Sequence, residues 1–370
     1  MQPPPSESVR ITDGVCHVLY TFDVGLSIDL KECERRVTAL KQREMVKHKK
    51  RAPMAFQGHD SPPLRITQEC EPVPVGARST LGVLDLIIHD FGAVTVSFSI
   101  EIKGPLMDLL ALGQQLYEHE ELRRASRHQV GQLIDAIRPA VTKLGLANEV
   151  EDYVIYEVRS IEPVLSAGEF IARHRQVLAQ LLRAEVAGLS ESEVEDALTC
   201  TMSFADDLAV IDWNAAFLLD READDVRTVL ELVNSELLEM RYLDTQLDDA
   251  LERSYEILLL QRERQRWRLS RRVAGDLRQI ARHQVDSAVL FERISNALKL
   301  IGDQYLARVY HRASQRFHLH DWDAAIQRKL QTLESIYQKM TDRVSTRRME
   351  LLEWIIIVLI AVSLLLPFVL

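Results

Sequence analysis

Alternating and helical patterns of apolar residues predict an amino-terminal domain of strands and helices. VCHVLYTFDVG (15–25) is rich in β-branched and aromatic residues and predicts a strand, and SIDLKECERRVTAL (27–40) follows it as a helix. LGVLDLIIH and AVTVSFSIEI are alternating apolar runs separated by DFG, a pattern typical of a hairpin. A helix that opens at Pro105 and a closing strand at 151–158 complete the pattern.

We therefore predict an α+β domain with a mostly antiparallel sheet over residues 15–160. Residues 1–14 are rich in Pro and Ser and are expected to be disordered. The Pro-, Gly- and charge-rich stretch at 47–82 is expected to be a long exposed loop within the domain.

Beyond Pro163 the strand signals nearly disappear, and the pattern predicts an all-α, coiled-coil-like domain over 161–350. One seam of apolar residues at alternating steps of three and four begins at Val226, and a second lies close to the carboxyl end. The second seam consists of Ile326, Leu330, Leu333, Tyr337, Met340 and Val344. Such a narrow stripe must be covered by another helix, either in an antiparallel hairpin within the chain, which we favour, or from a second copy in a homo-oligomer.

The last stretch, LLEWIIIVLIAVSLLLPFVL at 351–370, contains one charge and has the length of a single bilayer crossing. It predicts a transmembrane tail anchor, with a buried core helix as the alternative. The anchor side chains would include Trp354, Ile355, Ile356, Ile357, Leu359, Leu364 and Phe368. Arg343, Arg347 and Arg348 precede the span, so the large amino-terminal part is expected on the cytoplasmic side, with membrane lipids as a partner.

Composition narrows the classes of function. The formal net charge of −10 over 370 residues argues against a surface built to hold nucleic acid, and no DNA partner is expected. The four cysteines form no CxxC motif, so neither a zinc site nor a disulfide framework is indicated. Glycine-rich phosphate loops, GxSxG elbows and HExxH helices are absent from the sequence, and we predict no catalytic residues, metal or cofactor.

A basic segment at 262–282 interrupts this acidic chain. Its candidate RNA- or lipid-binding residues are Arg262, Arg264, Arg266, Trp267, Arg268, Arg271 and Arg272. Clustered arginines of this kind bind phosphates of RNA or of anionic lipid head groups. The alternative is a solvated helix face that balances the acidic stretch at 244–256 by ion pairs.

The carboxyl end, IQRKLQTLESIYQKMTDRVSTRRMELLEWIIIVLIAV, resembles the family named for yeast "required for meiotic nuclear division" proteins. SIDLKECERRV and FGAVTVSFSI are similar to its upstream motifs, whereas LTCTMSFADDLAVID lacks the histidine of its SHALAQS motif, which is typical of a divergent, bacterial member. The resemblance implies an uncharacterised family of membrane proteins that self-associate and support ribosomes, with no established catalytic residues.

The sequence thus predicts a non-enzymatic, tail-anchored, self-assembling scaffold at a bacterial inner membrane, with tethering of RNA or ribosomes as a further expectation. The alternative is a ligand-sensing or enzymatic α+β domain held at the membrane. Titratable residues clustered in one concave site would favour this alternative.

Overall fold

The computed structural model describes residues 9–44, 62–204, 206–263 and 303–365, together with four single positions between 285 and 292. The predicted disorder at 1–14 is wrong from Arg10 onward, where a strand begins, and residues 1–8 lie outside the described residues.

The described strands are β1 (Arg10–Asp23), β2 (Ser27–Ile28), β3 (Leu64–Glu69), β4 (Pro74–Val75), β5 (Arg78–Ser79), β6 (Val83–Ile88), β7 (Ala93–Glu101), β8 (Gly104–Pro105), β9 (Val141–Thr142), β10 (Glu151–Glu162), β11 (Thr201–Met202), β12 (Leu208–Ile211) and β13 (Ala215–Leu219). The described α-helices are α1 (Leu30–Glu44), α2 (Asp108–Leu116), α3 (Glu120–Ile137), α4 (Ala167–Leu182), α5 (Glu191–Ala197), α6 (Asp224–Glu263), α7 (Gln304–Arg316) and α8 (Leu319–Leu365).

One mixed, nine-stranded sheet organises the described part of the chain. Its order is β11-β12-β13-β10-β1-β7-β6-β3, with β8 paired to β1. The predicted hairpin is present as β6 and β7, which pair antiparallel. β1 lies between β10 and β7 and is antiparallel to both, whereas β10 and β13 run parallel. The expectation of a mostly antiparallel sheet within 15–160 is corrected to a mixed sheet that extends to residue 219.

The long strand β1 alternates two kinds of side chain. Cys16, Val18, Tyr20 and Phe22 are buried and belong to the main hydrophobic core, which also contains apolar residues of α2, α3 and α4. Because successive side chains of a strand point to opposite faces, the intervening positions face the other side of the sheet, where α6 lies. Asn234 of α6 donates to the hydroxyl oxygen of Thr21 at 3.2 Å on that side.

The predicted all-α region is wrong in its first part. β11, β12 and β13 belong to the main sheet, although they follow Pro163. β12 and β13 are short, fully buried runs, LAVI and AAFLL. A strand buried on both faces shows no alternation, so its periodicity does not distinguish it from a buried helix. The predicted loop at 47–82 is corrected in the same way, since β3 lies within it.

The chain divides into two compact units. Unit 1 consists of Met1–Tyr242 and Leu290–Trp322, and unit 2 of Leu243–Val289 and Asp323–Leu370. Sequence patterns predicted the bounds 15–160 and 161–350 instead. In the described residues of unit 1, the sheet carries helices on both faces.

Unit 2 contains described parts of α6 and α8. Lys329 lies 2.6 Å from Asp244 and 2.7 Å from Asp248, so these two helices pair within the unit. Of the predicted seam, Ile326 and Leu333 are buried and Leu330 and Tyr337 are half-buried. The side chains of Met340 and Val344 lie outside the described set.

The predicted transmembrane anchor is wrong. No helix in the described part of the chain has both the length and the apolar character that a membrane crossing requires. The predicted single-pass localisation in a bacterial inner membrane depended on this anchor and is therefore also wrong.

Most of the predicted anchor residues lie in α8. Trp354, Ile355, Ile356, Ile357 and Leu359 are exposed on α8. Leu364 and the three topology-setting arginines, Arg343, Arg347 and Arg348, lie within α8, but their side chains are outside the described set, and Phe368 lies beyond the described residues.

Candidate ligand-binding pocket

A pocket of about 210 Å³ opens in unit 1 where β10 and β13 begin. Its charged lining consists of Glu118, Arg123, Glu151, Asp152 and Arg241. The remaining lining contains apolar side chains, including Leu116, Val154, Leu181, Leu182, Trp213 and Ala215, although most of the surface that faces the pocket is polar. Convergent polar groups fix the orientation of a ligand in small-molecule sites.

Two helices end at the pocket. α2 ends at Leu116, and Glu118 follows in the left-handed region with φ 52°. α4 ends at Leu182, and Ala184 follows with φ 50°. A left-handed residue just after a helix closes its carboxyl end and is usually glycine. Both helices therefore stop abruptly and direct the negative ends of their dipoles toward the pocket.

Gly113 of α2 allows this helix to approach the sheet closely. A Cβ atom at this position would lie 2.9 Å from the hydroxyl oxygen of Tyr156, which projects from β10 and is buried. This distance is shorter than an ordinary van der Waals contact. A glycine is thus needed where α2 crosses Tyr156 at the pocket wall.

Glu151 and Arg241 form an ion pair in the wall of the pocket. Nη1 of Arg241 donates to Oε2 of Glu151 at 2.6 Å. Burial raises the pKa of Glu151 to about 7, although the charge of Arg241 opposes the shift. At neutral pH this carboxyl group is thus divided between its charged and neutral forms, and it compensates Arg241 only in part.

Arg123 is the second cation of the pocket. Its Nη1 donates to the exposed Glu120 at 3.4 Å, but its Nε is buried and has no hydrogen-bond partner among the described residues. A buried N–H group without a partner costs on the order of 1–3 kcal/mol. Because this atom has almost no accessible surface, a ligand in the pocket would contact the exposed part of the Arg123 side chain instead.

A second cluster of titratable residues lies between the sheet and α6, and it is closed to solvent. Arg65 of β3 bonds to Asp85 at 2.9 Å and also to Glu231 of α6. Arg227 of α6 lies 3.1 Å from Glu157 of β10. Glu231 and Glu157 are both buried, so their charges are compensated by guanidinium groups rather than by water.

His17 of β1 lies beside the ion pair between Arg227 and Glu157. Its Nε2 lies 2.9 Å from Nη1 of Arg227 and 3.3 Å from Oε2 of Glu157. Burial lowers the pKa of His17. Burial raises the pKa of Glu157, but the hydrogen bond to His17 and the charge of Arg227 outweigh it and bring the pKa down to about 2.

Further along α6, two carboxyl groups lack a cationic partner within the described structure. Burial raises the pKa of Glu236 to about 8, and its contact is the hydroxyl group of Tyr310, which donates at 2.7 Å. Burial also raises the pKa of Glu239 well above its ordinary range, and the nearby Asp23 adds to this shift. The pKa of Asp23 itself is raised to about 7 by burial. Glu236 and Glu239 thus hold their protons near neutral pH, whereas Asp23 titrates there.

The pocket and the buried cluster contain none of the residues that the sequence singled out. Most of the candidate RNA- or lipid-binding residues lie outside the described residues, namely Arg264, Arg266, Trp267, Arg268, Arg271 and Arg272. Arg262 lies within α6, but its side chain is outside the described set. RNA, ribosome or lipid binding by this segment stays a prediction.

Sequence reasoning missed the pocket because its residues come from five separate segments of the chain. The one local signal was the pair Glu151 and Asp152, two charged residues at the point where a predicted strand begins. α6 is buried continuously from Thr228 to Met240, although this stretch contains Glu231, Glu236 and Glu239. A helix that carries polar residues on several sides is not expected to be buried from its sequence pattern alone.

A curated archaeal protein is similar to this chain. Uncharacterized protein MJ0711 of Methanocaldococcus jannaschii is 24% identical over 238 residues, which cover 64% of this chain and 71% of the relative. No solved structure matches the chain.

The family model that matches covers residues 13–225 and is described as the N-terminal domain of uncharacterized protein MJ0711. The resemblance to the "required for meiotic nuclear division" family is therefore wrong. That resemblance was most specific in the last fifty residues, where a heptad helix followed by an apolar run is a pattern that unrelated helices share. Because the matched region is more than half of the 370 residues, the chain belongs to the MJ0711 N-terminal domain family.

Proposed function

We propose that unit 1 is a ligand-binding module whose site is the pocket at the start of β10 and β13. The single observation that carries the proposal is the convergence of Glu118, Arg123, Glu151, Asp152 and Arg241 in the lining of one pocket. Charged groups that converge in one concave site are typical of ligand recognition. An anionic group of a ligand would pair with the exposed part of the Arg123 guanidinium group.

The proposed role is binding rather than catalysis. The charged groups of the pocket are carboxylates and guanidinium groups, which hold a ligand by charge-assisted hydrogen bonds. The cysteines that the structure describes are not in the pocket lining, and burial raises the pKa of Cys16, Cys33 and Cys200. A thiol kept protonated in this way is a poor nucleophile.

A thermal-shift screen of the full-length protein tests the proposal. The compounds are metabolite-sized carboxylates, phosphates, amines and zwitterions, and the variant is Arg123→Gln. The matched control is Arg124→Gln, which changes the neighbouring, exposed arginine of α3. We expect at least one compound to raise the melting temperature of the wild type and of the control, with a much smaller shift for the Arg123 variant. Equal shifts in all three proteins, or no shift in any, would overturn the proposal.

Self-association through α8 is a second candidate, and one observation favours it. Apolar side chains from Trp354 to Ile360 are exposed on consecutive positions of this helix. Exposed apolar patches of this kind mark interaction surfaces. Light scattering of the full-length protein and of an Ile356→Glu variant would test it, since a larger mass only for the wild type is expected if copies associate through this surface.

A further inference from the structure

We propose that the pocket takes an amino acid-like zwitterion with an apolar side chain, held by its carboxylate at Arg123 and by its ammonium group at Asp152 and Glu118. This inference rests on the proposed function and names the class of its ligand. The evidence is that side chains of both charges line one small pocket, beside apolar side chains and the carboxyl ends of two helices.

The anion-binding side of the pocket is Arg123. Its side chain lines the pocket and keeps 36% of its surface exposed, and its Nη1 makes a long hydrogen bond of 3.4 Å to the exposed Glu120. A guanidinium group presents its N–H donors in a planar fork that matches a carboxylate. Arg241 adds positive charge nearby, even though it is paired with Glu151.

The cation-binding side is formed by Glu118, Asp152 and the two helix ends. Asp152 begins β10 beside Glu151, and Glu118 lies in the left-handed turn after α2. The carboxyl ends of α2 and α4 also meet the pocket here, through Leu116 and Leu182. Helix carboxyl ends carry partial negative charge and stabilise cations within their last turn.

The dimensions and walls of the pocket favour a small ligand. Its volume of about 210 Å³ is below the roughly 300–1,000 Å³ typical of sites for drug-sized ligands or cofactors. Leu116, Val154, Leu181 and Trp213 supply an apolar surface beside the charged groups. A single amino acid fits this combination of size, two opposite charges and an apolar side chain.

Titration calorimetry with two parent ligands and their derivatives tests the inference. The parents are L-leucine and L-phenylalanine. Their N-acetyl derivatives lack the ammonium group, and their amides lack the carboxylate. We expect each derivative to bind roughly tenfold to a hundredfold more weakly than its parent, because each loses one charge-assisted hydrogen-bonding group.

Two variants of the full-length protein assign each group to its side of the pocket. Asp152→Asn should weaken binding of the amino acid and of its amide, but leave the N-acetyl derivative unchanged. Arg123→Gln should weaken binding of the amino acid and of the N-acetyl derivative, but leave the amide unchanged. Glu121→Gln, an exposed carboxylate of α3, is the control and should change none of them.

The outcomes separate this inference from the proposed function. If both derivatives bind as tightly as their parents, or if the two variants affect all ligands equally, the zwitterion assignment is overturned. If leucine and phenylalanine fail while another compound of the thermal-shift screen binds in an Arg123-dependent way, the ligand class is wrong and the ligand-binding function stands. If no compound binds in a way that depends on Arg123, the zwitterion assignment and the ligand-binding function are both overturned.

Discussion

The two faces of the main sheet bury different chemistry, although the same strands form both. The face toward α2, α3 and α4 consists of residues such as Val18, Phe22 and Phe98, which pack in one hydrophobic core. The face toward α6 carries Thr21, Thr95 and other polar groups, joined to the helix by hydrogen bonds and ion pairs. Apolar packing tolerates many arrangements of similar volume, whereas a buried polar layer is stable only when its groups are matched. The difference predicts distinct responses to mutation and to pH.

The largest effect is expected on the apolar face. Phe98 of β7 is buried and lies opposite Val18 and Leu84 in the neighbouring strands. Phe98→Ala should lower the free energy of unfolding by about 3–5 kcal/mol, because it removes a buried ring and leaves a cavity. Urea denaturation measures this, with the exposed Val164→Ala as a control expected to change stability by less than about 0.5 kcal/mol. A loss below 1 kcal/mol for Phe98→Ala would contradict the packing described.

A similar effect of different origin is expected on the polar face. Arg65→Met removes the cation that compensates Glu231 and Asp85 and should cost about 3 kcal/mol. The double variant Arg65→Met with Glu231→Leu should recover part of this loss, since it leaves no buried charge on α6 at this position. Chemical denaturation of both variants decides the matter, because a double variant less stable than Arg65→Met alone would refute charge compensation as the cause.

The polar face should also make stability depend on pH. The pKa of Glu236 is raised from 4.5 to about 8 and that of Asp23 to about 7, so the folded state holds protons that the unfolded chain releases. Their stabilising contribution is complete below about pH 4 and is lost as pH rises through 7 and 8, on the order of 1.4 kcal/mol for each pKa unit. Glu157 acts in the opposite direction, since its lowered pKa of about 2 means that its contribution is lost as pH falls toward that value.

Denaturation between pH 5 and pH 8.5 measures this dependence. Wild-type stability should fall over this range, and Glu236→Gln should flatten the fall because glutamine does not ionise. Glu121→Gln, an exposed carboxylate, should leave the slope unchanged. A wild-type stability that rises over this range would show that the buried carboxyl groups do not control it.

The smallest effect is expected for a single neutral group of the polar layer. The hydroxyl of Ser235 lies 3.1 Å from that of Thr95, 3.2 Å from Nε2 of His89 and 2.9 Å from the carbonyl oxygen of Glu231. Ser235→Ala should cost about 1 kcal/mol, since the loss leaves partners in a buried site. Thr332 makes only the bond to the carbonyl four residues earlier and is exposed. Thr332→Ala should therefore be nearly neutral, and equal costs for the two variants would argue against a cooperative network.

Much of the sheet could be predicted from the sequence, because alternating strands carry their own signature. β1, β6, β7 and β10 lie within or close to the runs that predicted them. β3 and β13 could not be found in this way. β3 is a short strand within a segment rich in turn-forming residues, and β13 is apolar at every position, so neither alternates clearly.

The apolar tail shows the limit of arguing from composition alone. The run that begins at Trp354 is apolar, but α8, to which it belongs, also carries charged residues such as Glu350 and Glu353. Length and composition in the sequence suggested a span, whereas no helix among the described residues combines the length and the apolar character that a span needs. The family assignment failed for a related reason, since helical patterns of this kind carry little information about ancestry.

The sequence by itself determined the local elements, because the period of apolar residues is set by the geometry of each strand or helix. The tertiary structure decided what the polar residues do. Arg123, Glu151 and Arg241 are far apart in the chain and line one pocket only because the beginnings of α3 and β10 lie near the middle of α6. Arg65 likewise pairs with Glu231 only after β3 and α6 have packed. Such contacts depend on distances across the fold, and these distances leave no periodic trace in the sequence.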